Sequence, residues 1–195
     1  MSESVLVPAD RNVRGTVDRP GGERCVVACP PHPRMGGSRS DPRLQAVSEA
    51  LDCACLRFDY GAWDEGRGEL QDVRDALAWA RANYRRVGLF GYSFGGCLAL
   101  VAATRESDAG TTPERVVALS PAADIDGIDA VAAVDGITCP ITVLYGDRDT
   151  TVDAGSVAAR VRERGGEVVT LSADHHFVGQ TATVGERVAA AFPSA

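Results

Sequence analysis

Short apolar runs alternate along this chain with longer stretches whose apolar residues recur every three or four positions. Arg24-Cys25-Val26-Val27-Ala28-Cys29 and Cys53-Ala54-Cys55-Leu56-Arg57-Phe58 are almost continuously apolar, as strands buried on both faces must be. Arg86-Val87-Gly88-Leu89-Phe90, Arg115-Val116-Val117-Ala118-Leu119, Ile141 to Tyr145 and Glu167-Val168-Val169-Thr170-Leu171 read the same way. Between the first two strands, Asp41-Pro42 supplies an N-cap and a first-turn proline, and Leu44, Val47 and Leu51 follow at helical spacing. Glu69 to Tyr84 is the clearest helix, with Leu70, Val73, Leu77, Ala80 and Tyr84 on one stripe and Gln71, Arg74, Asp75 and Arg81 facing away. Val157 and Val161 mark a helix ended by Gly165-Gly166, and Val184, Val188 and Phe192 mark the last one. Near the start, Val5-Leu6-Val7 and Val13 to Val17 are expected to pair as an antiparallel edge. The alternation predicts an α/β architecture, a mostly parallel central sheet with helices on both faces, built as a single domain over residues 1–195.

One junction in this pattern carries chemistry. Gly91-Tyr92-Ser93-Phe94-Gly95-Gly96 lies between a strand-like run and the helix-like Cys97-Leu98-Ala99-Leu100-Val101-Ala102-Ala103. A serine on a sharp strand-to-helix turn has its hydroxyl pushed out over the sheet, and the positions two before and two after it must be small. Serine is a poor nucleophile alone, so this reading requires a histidine base and a carboxylate to orient it. The chain has 3 histidines, His32 and the adjacent pair His175 and His176. Acid candidates Asp147 and Asp149 follow the strand-like run ending at Tyr145, so the order is Ser, Asp, His.

With those residues in place, the chain resembles the α/β-hydrolase superfamily, and within it the small lidless branch similar to dienelactone hydrolases and esterase-like proteins. The resemblance rests on Pro31-His32-Pro33-Arg34-Met35-Gly36-Gly37, Arg57-Phe58-Asp59-Tyr60, the Ser93 junction, and Gly146-Asp147-Arg148-Asp149-Thr150-Thr151-Val152 with Ala173-Asp174-His175-His176-Phe177-Val178-Gly179. It implies an α/β-hydrolase fold with Ser93, Asp149 and His175 as the triad, His176 standing where the family pattern has an aromatic residue. It also implies an oxyanion hole from the backbone N–H groups of Phe94 and Arg34, Pro33 having no N–H to offer. Dienelactone hydrolases proper use a cysteine nucleophile, so serine here transfers the acyl chemistry and not the lactone substrate. His32, Tyr60, Trp63 and Phe177 are taken as residues around the acyl pocket. The short segment Ser120 to Pro140, where such hydrolases often insert a lid, predicts an open, shallow pocket.

Composition narrows the classes further. All 20 basic residues are arginine, and 27 acidic residues leave a net charge of -7, so no basic stripe for nucleic acid is expected. The missing lysine fits either a GC-rich genome or a surface adapted to high salt. No apolar stretch reaches the roughly 18 residues needed to cross a bilayer, and Met1-Ser2-Glu3-Ser4 lacks signal-peptide character, so a cytoplasmic location is expected. The 6 cysteines lack zinc-site spacing and sit in apolar runs, where they read as small core residues. No cofactor or metal is expected, and the anticipated partner is a small-molecule acyl substrate met by a monomer or homodimer, without membrane or nucleic acid. Two other classes compete: a non-catalytic binding or scaffold protein on the same fold, and a dinucleotide-binding oxidoreductase using Gly88, Gly91, Gly95 and Gly96 as a phosphate loop.

Overall fold

A computed structural model describes residues 1–192 of the chain. The elements run β1 (Ser2–Leu6), β2 (Arg14–Asp18), β3 (Arg24–Cys29), α1 (Pro42–Ala50), β4 (Ala54–Asp59), α2 (Arg67–Asn83), β5 (Arg86–Tyr92), α3 (Phe94–Asp108) and β6 (Val116–Leu119). They continue with β7 (Asp124–Ile125), β8 (Ile128–Asp129), α4 (Ala130–Ala133), β9 (Ile141–Gly146), α5 (Ala154–Glu163), β10 (Glu167–Leu171) and α6 (Thr181–Ala191). Eight strands form one sheet in the order β1-β2-β4-β3-β5-β6-β9-β10. β1 is antiparallel to β2 and β2 to β4, and every other pairing is parallel.

Strand periodicity divides the core into two layers. On β3, Cys25, Val27 and Cys29 face a layer filled by Leu70, Val73 and Leu77 of α2, the apolar side of α3, and Val157 and Val161 of α5. Val26 and Ala28 face the opposite layer, where Leu44 and Val47 of α1 meet Val184 and Val188 of α6. Helices therefore cover both faces, as the α/β reading requires.

The helix termini follow their capping residues. Asp41 caps α1 by accepting from the Arg43 N–H at 2.9 Å, with Pro42 in the first turn. α2 starts at Arg67, two residues before the expected start at Glu69, because the buried Glu69 carboxylate accepts from the N–H groups of Gly66 (2.8 Å) and Asp64 (2.9 Å). On its polar side, Arg74 and Arg81 both reach Glu106 of α3 at 2.8 Å, so charges expected to face away lock two helices together. Five cysteines are buried and Cys139 is half-buried, all as free thiols. Burial pushes the Cys55 and Cys97 thiols up to about 12. Between β6 and β9 the chain forms only the β7–β8 hairpin, the single turn of α4 and a 3-10 turn, so no lid covers the sheet edge.

Candidate functional site

Ser93 occupies a left-handed conformation, φ 56° and ψ -115°, at the junction of β5 and α3. Such a backbone costs about 1 to 3 kcal/mol and persists only where its surroundings enforce it. Here the Ser93 N–H donates to Leu119 of β6 at 2.9 Å, and the Ser93 carbonyl accepts the first helical bond from Cys97 at 3.1 Å. The turn also needs its two flanking glycines. A Cβ on Gly91 would lie 2.1 Å from the Gly95 oxygen, and one on Gly95 would lie 2.4 Å from the carbonyl oxygens of Cys29 and Pro30. These glycines face backbone, not a phosphate-sized hollow, which removes the basis of the dinucleotide-loop reading.

Asp149 lies in the turn after β9. Its Oδ1 accepts from the Thr151 N–H at 2.9 Å, and its Oδ2 lies 2.7 Å from His175 Nδ1. Asp147, the other acid candidate, has its side chain 48% exposed beside Arg148, so it makes no part of this arrangement. His175 follows β10 and is 5% exposed, with Nε2 3.0 Å from Ser93 Oγ. His176 is exposed, with its ring edge-on to His175, so of the pair it is His175 whose imidazole meets both Ser93 and Asp149. The turn that holds them is set by Asp174, whose Oδ1 accepts from the N–H groups of His176 and Phe177, both at 3.0 Å.

A carboxylate only accepts, so in the neutral form of the His175 ring the proton belongs on Nδ1 and Nε2 is the acceptor for the Ser93 hydroxyl. Burial pushes the Asp149 carboxyl up, but the hydrogen bonds from His175 and the Thr151 N–H outweigh it and hold the group below its ordinary 3.8. The acid is therefore charged at neutral pH, as an orienting group for an imidazolium must be.

Ser93 and His175 open onto a cleft of about 450 Å³, whose apolar wall includes Met35, Phe94, Ile125 and Val152. One of the expected pocket residues meets it directly, beside the expected oxyanion donor Phe94. His32 and Phe94 both line it, their rings 4.8 Å apart. Burial and the Arg34 charge hold the His32 imidazole below its ordinary value, so it is neutral at pH 7.

Four expectations are corrected here. The Arg34 N–H is occupied, donating to His32 Nδ1 at 3.2 Å within the Pro33–Met35 turn, and Arg34 does not line the cleft. The remaining donor on that loop is the His32 N–H, which has no protein acceptor among the described residues; the same holds for the Phe94 N–H at the start of α3. Tyr60 and Trp63 stand behind the cleft wall instead of forming it. Tyr60 donates to the Pro30 carbonyl at 3.0 Å with its ring edge-on to Phe94, and Trp63 stacks on His32 at 4.6 Å. Phe177 is fully buried and packs edge-on to Tyr92 on the far side of the site.

The sequence reading missed Tyr92, Arg43 and Asp41, which all line the cleft. Tyr92 lies inside the glycine-serine motif without an assigned role, Asp41 carries only a helix-cap signal, and Arg43 carries no signal in the sequence. Among the described residues no group of three His, Cys, Asp or Glu side chains is placed to hold a metal ion, and no helix is long and apolar enough to cross a membrane.

Comparison with known proteins finds the same fold elsewhere. The fold is shared with an α/β serine hydrolase homologue from Coxiella burnetii (TM-score 0.81, 23% identity, 98% of this chain and 97% of that one). It is shared also with an α/β serine hydrolase without a lid from Xanthomonas campestris (TM-score 0.76, 21% identity, 100% and 96%). Est1E from Butyrivibrio proteoclasticus is similar as well (TM-score 0.80, 18% identity, 96% and 96%), and has been solved with ferulic acid bound. No curated protein matches the sequence. The sequence profile of the dienelactone hydrolase family matches residues 59–191, a span that contains Ser93, Asp149 and His175. The chain therefore belongs to the dienelactone hydrolase family and is a hydrolase of the α/β-hydrolase fold.

Proposed function

We propose that the protein is a serine esterase acting on small acyl esters through an acyl-serine intermediate. The observation that carries this reading is the unbroken hydrogen-bond path from Asp149 Oδ2 through His175 (2.7 Å) to Ser93 Oγ (3.0 Å) at the floor of an open cleft. Ser93 Oγ attacks the ester carbonyl while His175 Nε2 takes the hydroxyl proton, and Asp149 stabilises the imidazolium that forms. The tetrahedral oxyanion is met by the N–H groups of Phe94 and His32, each such donor contributing about 3 to 4 kcal/mol of transition-state stabilisation. Collapse transfers the proton from His175 to the departing alkoxide, leaving the acyl group on Ser93. Water, deprotonated by His175, then releases the acid and returns the proton to Ser93.

The cleft suits a compact, mainly apolar acyl or aryl group. Est1E, a similar fold, has been solved with ferulic acid bound, which favours including esters of aromatic acids in a substrate panel. The competing reading, a binding protein on a hydrolase fold, is separated by treatment with a fluorophosphonate. A serine esterase gains the phosphonyl mass on Ser93 and loses activity on short aryl esters together with it, while Ser93→Ala does neither. Absence of adduct on the wild-type protein, or ester cleavage that survives Ser93→Ala, overturns the proposal.

A further inference from the structure

The residue between Gly91 and Ser93 has no part in the mechanism above, yet it touches the base at two places. Tyr92 ends β5 and is 1% exposed. A phenol buried to that degree needs a partner for its O–H, and this one donates to the main-chain carbonyl of His175 at 2.9 Å, across 83 positions of sequence. Its ring also stacks on the His175 imidazole, centroids 5.4 Å apart and planes 29° from parallel. The Tyr92 ring is itself fixed: the Arg43 guanidinium lies 4.7 Å from its centroid, and Arg43 is paired with the α1 cap Asp41 at 2.6 Å.

We propose that Tyr92 is a positioning residue for the base, holding both the main chain and the ring plane of His175 so that Nε2 stays within reach of Ser93. His175 needs such a hold, since it stands in a loop beyond β10, which among the described strands is paired on one side only. Asp149 restrains the imidazole at Nδ1 alone, which leaves rotation about that contact open. Tyr92 closes this freedom from the nucleophile's own strand, so the two reacting groups share one rigid support. Burial pushes the phenol up to about 12, which keeps it a donor throughout the working range of an esterase.

This inference rests on the proposed esterase mechanism for its kinetic arm, and a second arm is independent of activity. Tyr92→Phe keeps the ring and its volume and removes only the O–H. Its kcat on a short aryl ester is expected to fall about tenfold with KM within about twofold, since a misplacement of about 1 Å at a reacting group can cost about 100-fold. Its Tm should fall by only about 2 to 4 °C. Tyr92→Leu, which removes the stacking as well, should lose about 100-fold in kcat. The independent arm is the downfield proton resonance of His175 Nδ1–H, assigned by its disappearance in His175→Ala, which should broaden or shift in Tyr92→Phe. Wild-type kcat and an unchanged resonance in Tyr92→Phe overturn the inference, as does a loss confined to KM or matched by loss of folded protein. Failure of the wild-type protein to react with a fluorophosphonate overturns the esterase reading instead, and the resonance still decides the role of Tyr92.

Discussion

In the proposed mechanism Asp149 decides which nitrogen of His175 carries the proton, through the contact of its Oδ2 with His175 Nδ1. Replacing it by asparagine keeps the shape but offers an N–H where the imidazole needs an acceptor, so His175 flips its tautomer and presents an N–H to Ser93. Asp149→Asn should therefore lower kcat by about 10⁴-fold with little change in KM, measured by steady-state hydrolysis of a short aryl ester. At this scale, legibility followed how local the determinant was. That Ser93, Asp149 and His175 meet was legible because each sits in a turn directly after a strand, at the same edge of the sheet. The second oxyanion donor could not, because which N–H of the Pro31 to Arg34 loop is free depends on the turn itself, where His32 Nδ1 captures the Arg34 N–H. Tyr60, Trp63 and Phe177 were assigned to the cleft because they are aromatic and near the motifs, but nearness in sequence does not say on which side of a wall a ring will stand.

Elements of this fold are joined through two kinds of junction, one steric at the site and one electrostatic away from it. The β5–α3 turn admits no Cβ at Gly91, where the Gly95 oxygen would be 2.1 Å away. Gly91→Ala should cost about 3 kcal/mol in urea unfolding and remove fluorophosphonate reactivity even in the fraction that remains folded, because relief of the clash moves Ser93. Farther off, Asp18 on β2 gathers Arg57 of β4 at 2.7 Å, Ser48 of α1 at 2.6 Å and Ser2 of β1 at 2.7 Å. Burial raises its carboxyl, but these hydrogen bonds and the Arg57 charge more than offset it, holding it at about 2 against an ordinary 3.8. A depressed carboxyl stabilises the fold above its ordinary value, and the contribution is lost as pH falls from 3.8 through 2. Asp18→Asn should thus cost about 1 to 2 kcal/mol at pH 7, solvent screening included, and in parallel denaturant titrations the gap from wild type should narrow as pH falls below 3.8 and close only below about 2. Helix ends and buried strands were legible because caps and apolar periodicity act over a few residues. The β7–β8 hairpin was not, since two-residue strands leave no periodicity to read.

For the molecule as a whole, the strand and helix alternation predicted the layers, and the hairpin of β1 with β2 formed as expected. The sheet order was not legible. That β2 goes on to pair antiparallel with β4 depends on which long-range partner best covers Val17 and Leu56, and no local pattern names that partner. The same order puts the three groups of the site at unequal depth. Ser93 follows β5, flanked by β3 and β6, whereas His175 follows β10, whose outer edge has no neighbour among the described strands. Outer strands open at lower free energy than inner ones. On gradual warming, hydrolytic turnover should thus fail several degrees below the midpoint at which ellipticity at 222 nm collapses, and cooling within that interval should restore it.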